Sequence, residues 1–309
     1  MNFANRDILS IKDFSRQELL DLLDVAEEFE KNGQKYCDLL KGQILATMFF
    51  DPSTRTRFSF QAAMLRLGGH FISLTSVNTT SLAKGETLQD TVKIIDGYCD
   101  AIAVRHPDVG SAKLVADVSS KPVINCGDGA HEHPTQTFTD LYTIRKAFGR
   151  LDGLTIGFLG DLKYGRTVHS LALALSHFKP KIYFISPESL RMPAEYLEEL
   201  NSRGVNYAEE QDLLKVSKEL DVLYVTRIQK ERFIDPEDYA KVKGIYRLKA
   251  DFLNHTKNEL KILHPLPRVD EIDPELDNYS QSIYFQQAHN GLFVREALLA
   301  LVLGKIYKK

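Results

Sequence analysis

The run Pro52-Ser53-Thr54-Arg55-Thr56-Arg57 follows the apolar stretch Ile44 to Phe50 and precedes a helical pattern. Three hydroxyls and two guanidiniums crowd into five positions at a strand-to-helix junction, a composition suited to a doubly charged oxyanion. Pro52 stops the strand, Ser53 is placed to cap the helix, and the next N–H groups point out of its positive end. Phe58, Phe60, Ala62, Ala63, Leu65 and Leu67 supply the expected apolar face. An ordinary N-cap and a basic surface turn account for Ser53 and one arginine, but not for the whole cluster.

The same strand-to-helix alternation repeats along the chain. Ser15 and Glu18 form a capping box, and Leu19, Leu20, Leu22, Leu23, Val25, Ala26 and Phe29 make the buried stripe of a first helix. Strands are expected at Ile44–Phe50, Phe71–Leu74, Ala101–Val104 and Pro122–Asn125, then a helix from Thr135 to Phe148. A second series begins at Leu154–Leu159 and continues with Lys181–Ile185, a short piece at Val205–Tyr207, Val222–Thr226 and Leu260–Leu263. Helices at Arg166–Phe178, Pro193–Arg203 and Pro236–Val242 fill the intervals. The fold class is α/β, with two doubly wound, mostly parallel-sheet domains. The expected division is 1–148, 149–290, and a C-terminal helix, 291–309, that packs back on the first domain.

The chain has 309 residues, enough for two domains of about 150 each. A formal charge of -3 argues against nonspecific nucleic-acid binding, so positive potential must be local. Cys37, Cys99 and Cys126 are odd in number and widely spaced, which fits buried thiols in a reducing compartment better than disulfides or a zinc site. The first residues lack a signal peptide's apolar core, and no apolar run approaches the ~20 residues of a membrane span. A cytoplasmic protein is expected.

Ligands of open α/β sheets bind beyond the carboxyl ends of the strands, so the loops there carry the chemistry. Those of the first domain hold Thr79 to Glu86, with Lys84 on a glycine hinge, then Arg105-His106-Pro107 and Gly127 to Gln136. Those of the second hold Gly160 to Arg166, Thr226 to Arg232 and His264-Pro265-Leu266-Pro267-Arg268. Facing polar loops imply an active-site cleft between the domains. Lys84 alone would read as a solvated lysine, and Arg105 could simply pair with Asp108. His131 and His133 alternate in extended chain and so point to opposite faces, which disfavours a metal. Gly157, Gly160 and Gly165 are misspaced for a dinucleotide loop. No cofactor is expected.

Taken together, Phe50 to Phe60, His133-Pro134-Thr135-Gln136-Thr137, Gly160 to Ser170, Arg227 to Arg232 and His264 to Arg268 resemble the aspartate/ornithine carbamoyltransferase family over nearly the full chain. The last two segments resemble its aspartate-specific branch, since ornithine enzymes typically carry cysteine where Pro265 stands. The resemblance implies carbamoyl transfer from carbamoyl phosphate to the amine of L-aspartate, as in pyrimidine synthesis. It implies that Ser53, Thr54, Arg55 and Thr56 hold phosphate and that Arg105 bridges phosphate and carbonyl oxygen. Thr56, Arg105 and His133 would polarise the carbonyl. Gln136 and the backbone carbonyls of Pro265 and Leu266 would hold the carbamoyl NH₂. Arg166 would take the α-carboxylate, and Arg227 with Gln229 the β-carboxylate. Ser81 and Lys84 would reach a neighbouring subunit's site, implying a homotrimer with shared active sites. Relatives usually place the loop serine four residues before the lysine. Here that position is Thr80, so either hydroxyl could serve. Another acceptor amine such as ornithine, or a catalytically idle anion-binding scaffold, stays open at this point. So does association with regulatory chains and the allostery they bring to some relatives.

Overall fold

The computed structural model describes residues 3–75, 80–233 and 235–306, apart from the Glu231 side chain. Thr79, part of the loop that carries Lys84, lies outside the described residues. Two compact units divide the chain, 1–142 with 289–309 and 143–288.

The first unit opens with α1 (Arg16–Asn32), whose capping box forms as expected: Ser15 accepts from the Glu18 N–H and Glu18 accepts from the Ser15 N–H. Leu19, Leu22, Leu23, Val25, Ala26 and Phe29 are its buried residues, while Leu20 is only half-buried. Strands β1 (Ile44–Phe49), β2 (His70–Leu74), β3 (Ala101–His106) and β4 (Val123–Asp128) alternate with α2 (Thr54–Arg66), α3 (Leu88–Asp96) and α4 (Ser111–Val118). They form an all-parallel sheet of order β2-β1-β3-β4. Such sheets are covered on both faces, so their strands read as apolar runs, and every residue of β4 is buried. Ala46, Met48, Ile102, Val104, Val115 and Val123 belong to one core cluster. Full burial of each of the larger side chains is worth about 1.5–3 kcal/mol.

After α5 (Pro134–Phe148), the second unit contains β5 (Thr155–Leu159), α6 (Arg166–Leu175), β6 (Lys181–Ile185), α7 (Ala194–Ser202), β7 (Asn206–Glu210), β8 (Val222–Val225), α8 (Pro236–Val242) and β9 (Lys261–Leu263). Its five strands are again all parallel, in the order β7-β6-β5-β8-β9. The last helix, α9 (Tyr284–Val302), starts well before the expected Gly291. Polar Gln286, Gln287, His289 and Asn290 hide its beginning from an apolar pattern, although Gln287 is fully buried and accepts the His264 N–H at 2.8 Å.

Two further expectations are corrected. Phe58 and Leu65 are each 55% exposed, because α2 buries Phe60, Ala63 and Met64 instead. Cys37 is exposed, whereas Cys99 and Cys126 are the buried thiols, with burial raising them to about 11 and about 12. No helix among the described residues is long and apolar enough to cross a membrane.

The strand orders decide where a ligand can sit. In the first sheet the winding reverses between β1 and β3, and in the second between β5 and β8. Crevices open at such reversals, beyond the carboxyl ends of the strands.

Candidate active site

The first crevice is flanked by the run after β1 and the end of β3. Ser53 sits at the N-cap of α2 in extended conformation, but its side chain makes no capping hydrogen bond, contrary to expectation. The hydroxyl is thereby not committed to the helix end. Thr54 and Arg55 are exposed in its first turn, and Thr56 is buried at 5% exposure. The helix contributes N–H groups and its positive dipole end.

Arg105 enters from β3 where the pairing with β4 shifts register between Val104 and His106. Its partner is Asp51, not Asp108: Nε donates to Asp51 Oδ2 at 2.9 Å, NH2 lies 2.6 Å from the same oxygen, and NH1 donates to the Cys126 carbonyl at 3.2 Å. Asp108 lies instead beside His106. Desolvation, and next the charge of Arg105, push the Arg55 guanidinium below its ordinary value. A guanidinium so disfavoured beside a helix N-terminus favours an incoming dianion.

The loop after β4 disperses its acidic and imidazole groups. His131 pairs with Asp128 at 3.4 Å, and buried Glu132 accepts from Ser10 Oγ at 2.5 Å and the Ile11 N–H at 2.8 Å. His133 is 4% exposed at the start of α5, with Thr135 Oγ1 3.3 Å from its Nδ1. Gln136 follows in the first turn of α5, its Nε2 donating to Asp140 at 2.8 Å. No group of three or more histidine, cysteine, aspartate or glutamate residues placed to hold a metal occurs among the described residues.

Ser81 and Lys84 stand apart from these contacts. They are exposed on a short 3-10 turn that Gly85 closes in left-handed conformation. Lys84 makes no ion pair with a described residue.

The second crevice is organised around Asp161, fully buried just after β5. Its Oδ1 accepts the Tyr164 N–H at 2.9 Å and its Oδ2 the Gln229 N–H at 3.3 Å, tying together the loops after β5 and β8. Burial raises the Asp161 carboxyl above its ordinary value despite these bonds and the charge of Arg227. Gly160 lets the two loops meet. At φ +118°, a Cβ there would stand 2.3 Å from the Thr226 carbonyl, so only glycine fits. Gln229 Nε2 donates to the Tyr164 carbonyl at 3.1 Å. Arg166 is the first residue of α6, and it, Arg227 and Gln229 are all half-buried.

Pro265 and Leu266 follow β9. Leu266 has φ +54°, and its N–H donates to His264 Nδ1 at 2.8 Å. His264 Nε2 must then carry the proton, which it directs to Glu271 Oε1 at 2.7 Å. Burial would raise the Glu271 carboxyl, but His264 and the Glu271 and Val269 N–H groups outweigh it and hold it below its ordinary value. Asp51, Asp140, Asp161 and Glu271 carry no site role in the sequence reading. Asp51 and Asp161 sit inside quoted motifs but have partners remote in sequence, whereas Asp140 and Glu271 lie three residues beyond one.

Two parallel sheets, one with Arg55 and Arg105 near a helix N-terminus and the other with Arg227 near a buried carboxylate, suit a protein that handles small anions. The chain matches the aspartate/ornithine carbamoyltransferase family in both parts, the carbamoyl-phosphate-binding domain over residues 6–146 and the Asp/Orn-binding domain over 152–302, and belongs to that family. The aspartate carbamoyltransferase catalytic subunit of Methanopyrus kandleri is 56% identical over 98% of this chain and 99% of its own. The catalytic subunit of M. jannaschii aspartate transcarbamoylase is similar in structure, with a TM-score of 0.88 and 49% identity over 95% of this chain and 96% of its own. Aspartate transcarbamoylase from Trypanosoma cruzi, in complex with N-(phosphonacetyl)-L-aspartic acid, gives a TM-score of 0.92 at 37% identity, covering 97% of both chains.

Proposed function

We propose that the chain catalyses transfer of the carbamoyl group from carbamoyl phosphate to the amino group of L-aspartate, giving N-carbamoyl-L-aspartate and phosphate for pyrimidine synthesis. The observation that carries this is the placement of Arg55 at the N-terminus of α2 and of Arg105 at the end of β3, on the reversal point of the first sheet. Ser53, Thr54, Arg55 and Thr56 hold the phosphate, and Arg105, anchored by Asp51, spans phosphate and carbonyl oxygen. The neutral amine attacks the carbonyl carbon, its lone pair forming the C–N bond while the carbonyl becomes an oxyanion. Thr56, Arg105 and His133 stabilise that charge, and losing one such donor costs about 3 kcal/mol. Collapse breaks the C–O bond to phosphate, and the departing dianion accepts the amine proton.

Gln136 and the carbonyls of Pro265 and Leu266 hold the carbamoyl NH₂. Arg166 takes the α-carboxylate, and Arg227 with Gln229 the β-carboxylate, each arginine presenting a planar fork. The carbamoyl phosphate domain is 1–148 and the aspartate domain 149–290, with 291–309 returning to the first. The enzyme is a cytoplasmic homotrimer in which Lys84, with Ser81 or Thr80, enters a neighbour's site. Exposed Phe58 and Leu65 on α2, and Ile94 and Tyr98 at the end of α3, support such a contact at 55%, 55%, 57% and 61% exposure.

The test is acceptor choice. Purified protein with carbamoyl phosphate should convert L-aspartate and leave ornithine unreacted, with activity unaffected by a chelator. Faster turnover of ornithine would reject the aspartate assignment.

A further inference from the structure

Gln136 Nε2 donates to Asp140 Oδ1 at 2.8 Å, one helical turn along α5. An ionised carboxylate only accepts, so the amide must turn its NH₂ to Asp140 and its carbonyl oxygen away. On an exposed helix such a pair adds only a few tenths of a kcal/mol. Asp140, however, has no exposed surface, and a buried carboxylate needs a cation and donors.

The C-terminal helix brings a cation near Asp140. Arg295, 4% exposed, lies with its guanidinium 5.4 Å from the centre of the Phe60 ring. Its NH1 occupies the space over Gly291. A Cβ at Gly291 would stand 2.1 Å from that nitrogen and 3.3 Å from Thr139 Oγ1, so the glycine leaves room for the guanidinium against the turn of α5 that holds Asp140. Burial pushes Arg295 down to about 10, opposed by the charge of Asp140, and it stays cationic at neutral pH.

We propose that Asp140, backed by Arg295, is a positioning residue that locks the Gln136 amide with Oε1 outward, as the acceptor that selects a carbamoyl NH₂ over a methyl group. The inference rests on the reading that this unit binds carbamoyl phosphate. Without the lock the amide can present its own NH₂ to the substrate's NH₂, donor against donor. Carbamoyl and acetyl phosphate have the same shape apart from that group, so their relative affinity reports the amide's orientation and not the general state of the site.

The experiment measures the binding of both acyl phosphates to the full-length protein by competition with the bisubstrate phosphonate. Asp140→Asn, which can donate or accept, should weaken carbamoyl phosphate about tenfold, the worth of one hydrogen bond, and leave acetyl phosphate within about twofold. Gln136→Leu should show the same loss, and the double variant no more than either alone. Equal weakening of both ligands, an unchanged ratio, or additive losses would overturn the proposal. Arg295→Lys, which keeps the charge but not the fork, should lower the ratio about threefold and serves if Asp140→Asn does not fold. An unchanged ratio there also counts against it. If the unsubstituted protein itself fails to bind carbamoyl phosphate, the functional reading fails, not the lock.

Discussion

The crevices of the two sheets solve opposite electrostatic problems. In the first unit, desolvation and then the charge of Arg105 depress Arg55, and the helix end adds to the positive charge, an arrangement suited to a dianion. In the second, the centre is an anion: fully buried Asp161 binds backbone N–H groups of two loops and sets the stage on which Arg166, Arg227 and Gln229 stand. The first arrangement is suited to a phosphate dianion, which fits a half shared by a whole family. The second fixes the spacing of side chains around a buried post, and spacing is what separates one amino acid acceptor from another.

The sharpest way to break this division is to remove a cation from the first unit. Arg55→Ala should abolish measurable turnover, a loss of about 10³-fold or more from a group that stabilises charge in the transition state. Lys84→Ala should do the same if it completes a neighbour's site. Mixing the two inactive proteins after dissociation separates the cases. In a closed ring a site works only where intact Arg55 meets intact Lys84 from the next chain, so random mixing restores about a quarter of the sites. No recovery after verified subunit exchange would place Lys84 in its own chain's site or outside catalysis.

A milder cut falls on the second unit. Gln229→Ala removes the bond to the Tyr164 carbonyl but leaves the Gln229 N–H on Asp161. The aspartate KM should rise about tenfold or more, while carbamoyl phosphate binding at the first unit stays unchanged. Weakened carbamoyl phosphate affinity with an unchanged aspartate KM would erase the contrast between the two crevices.

The two regions also differ in how much of them could be read from sequence. Strand cores such as Lys181–Ile185 were legible because both faces are buried and the apolar run is short and bounded. The anion-binding run was legible because hydroxyls, guanidiniums and a helix start are contiguous. Asp161 was not assigned, since its bond to the Gln229 N–H joins loops brought together only by the sheet order, and Glu271 was not, since it lies beyond the His264 to Arg268 motif. Arg105 shows the same limit at short range. Asp108 is nearer in sequence, but β1 and β3 are neighbours in the sheet and bring Asp51 to it. The start of α9 was missed because Gln287 is buried to bond backbone, which no hydrophobic period can signal.

The smallest predicted effect lies outside both crevices and asks whether the first unit tolerates charge as well away from its site. Glu296 on α9 is 1% exposed, with Arg66 Nε 2.7 Å from its Oε1, and burial raises its carboxyl to about 7 in spite of that partner. The folded state therefore holds a proton that the unfolded chain releases near its ordinary value of 4.5. Stability from this group is fully present below that value, declines as pH rises, and is lost by about pH 7, a difference of about 3 kcal/mol at most. Glu296→Gln removes the titration while keeping the shape. Denaturant melts at pH 5 and pH 8 should show the variant gaining about 1–2 kcal/mol on the native protein at the higher pH, after the lost pairing with half-exposed Arg66 is deducted. A variant less stable at pH 8 than at pH 5, relative to the native chain, would mean that Arg66 holds Glu296 ionised and that α9 carries a buried ion pair after all.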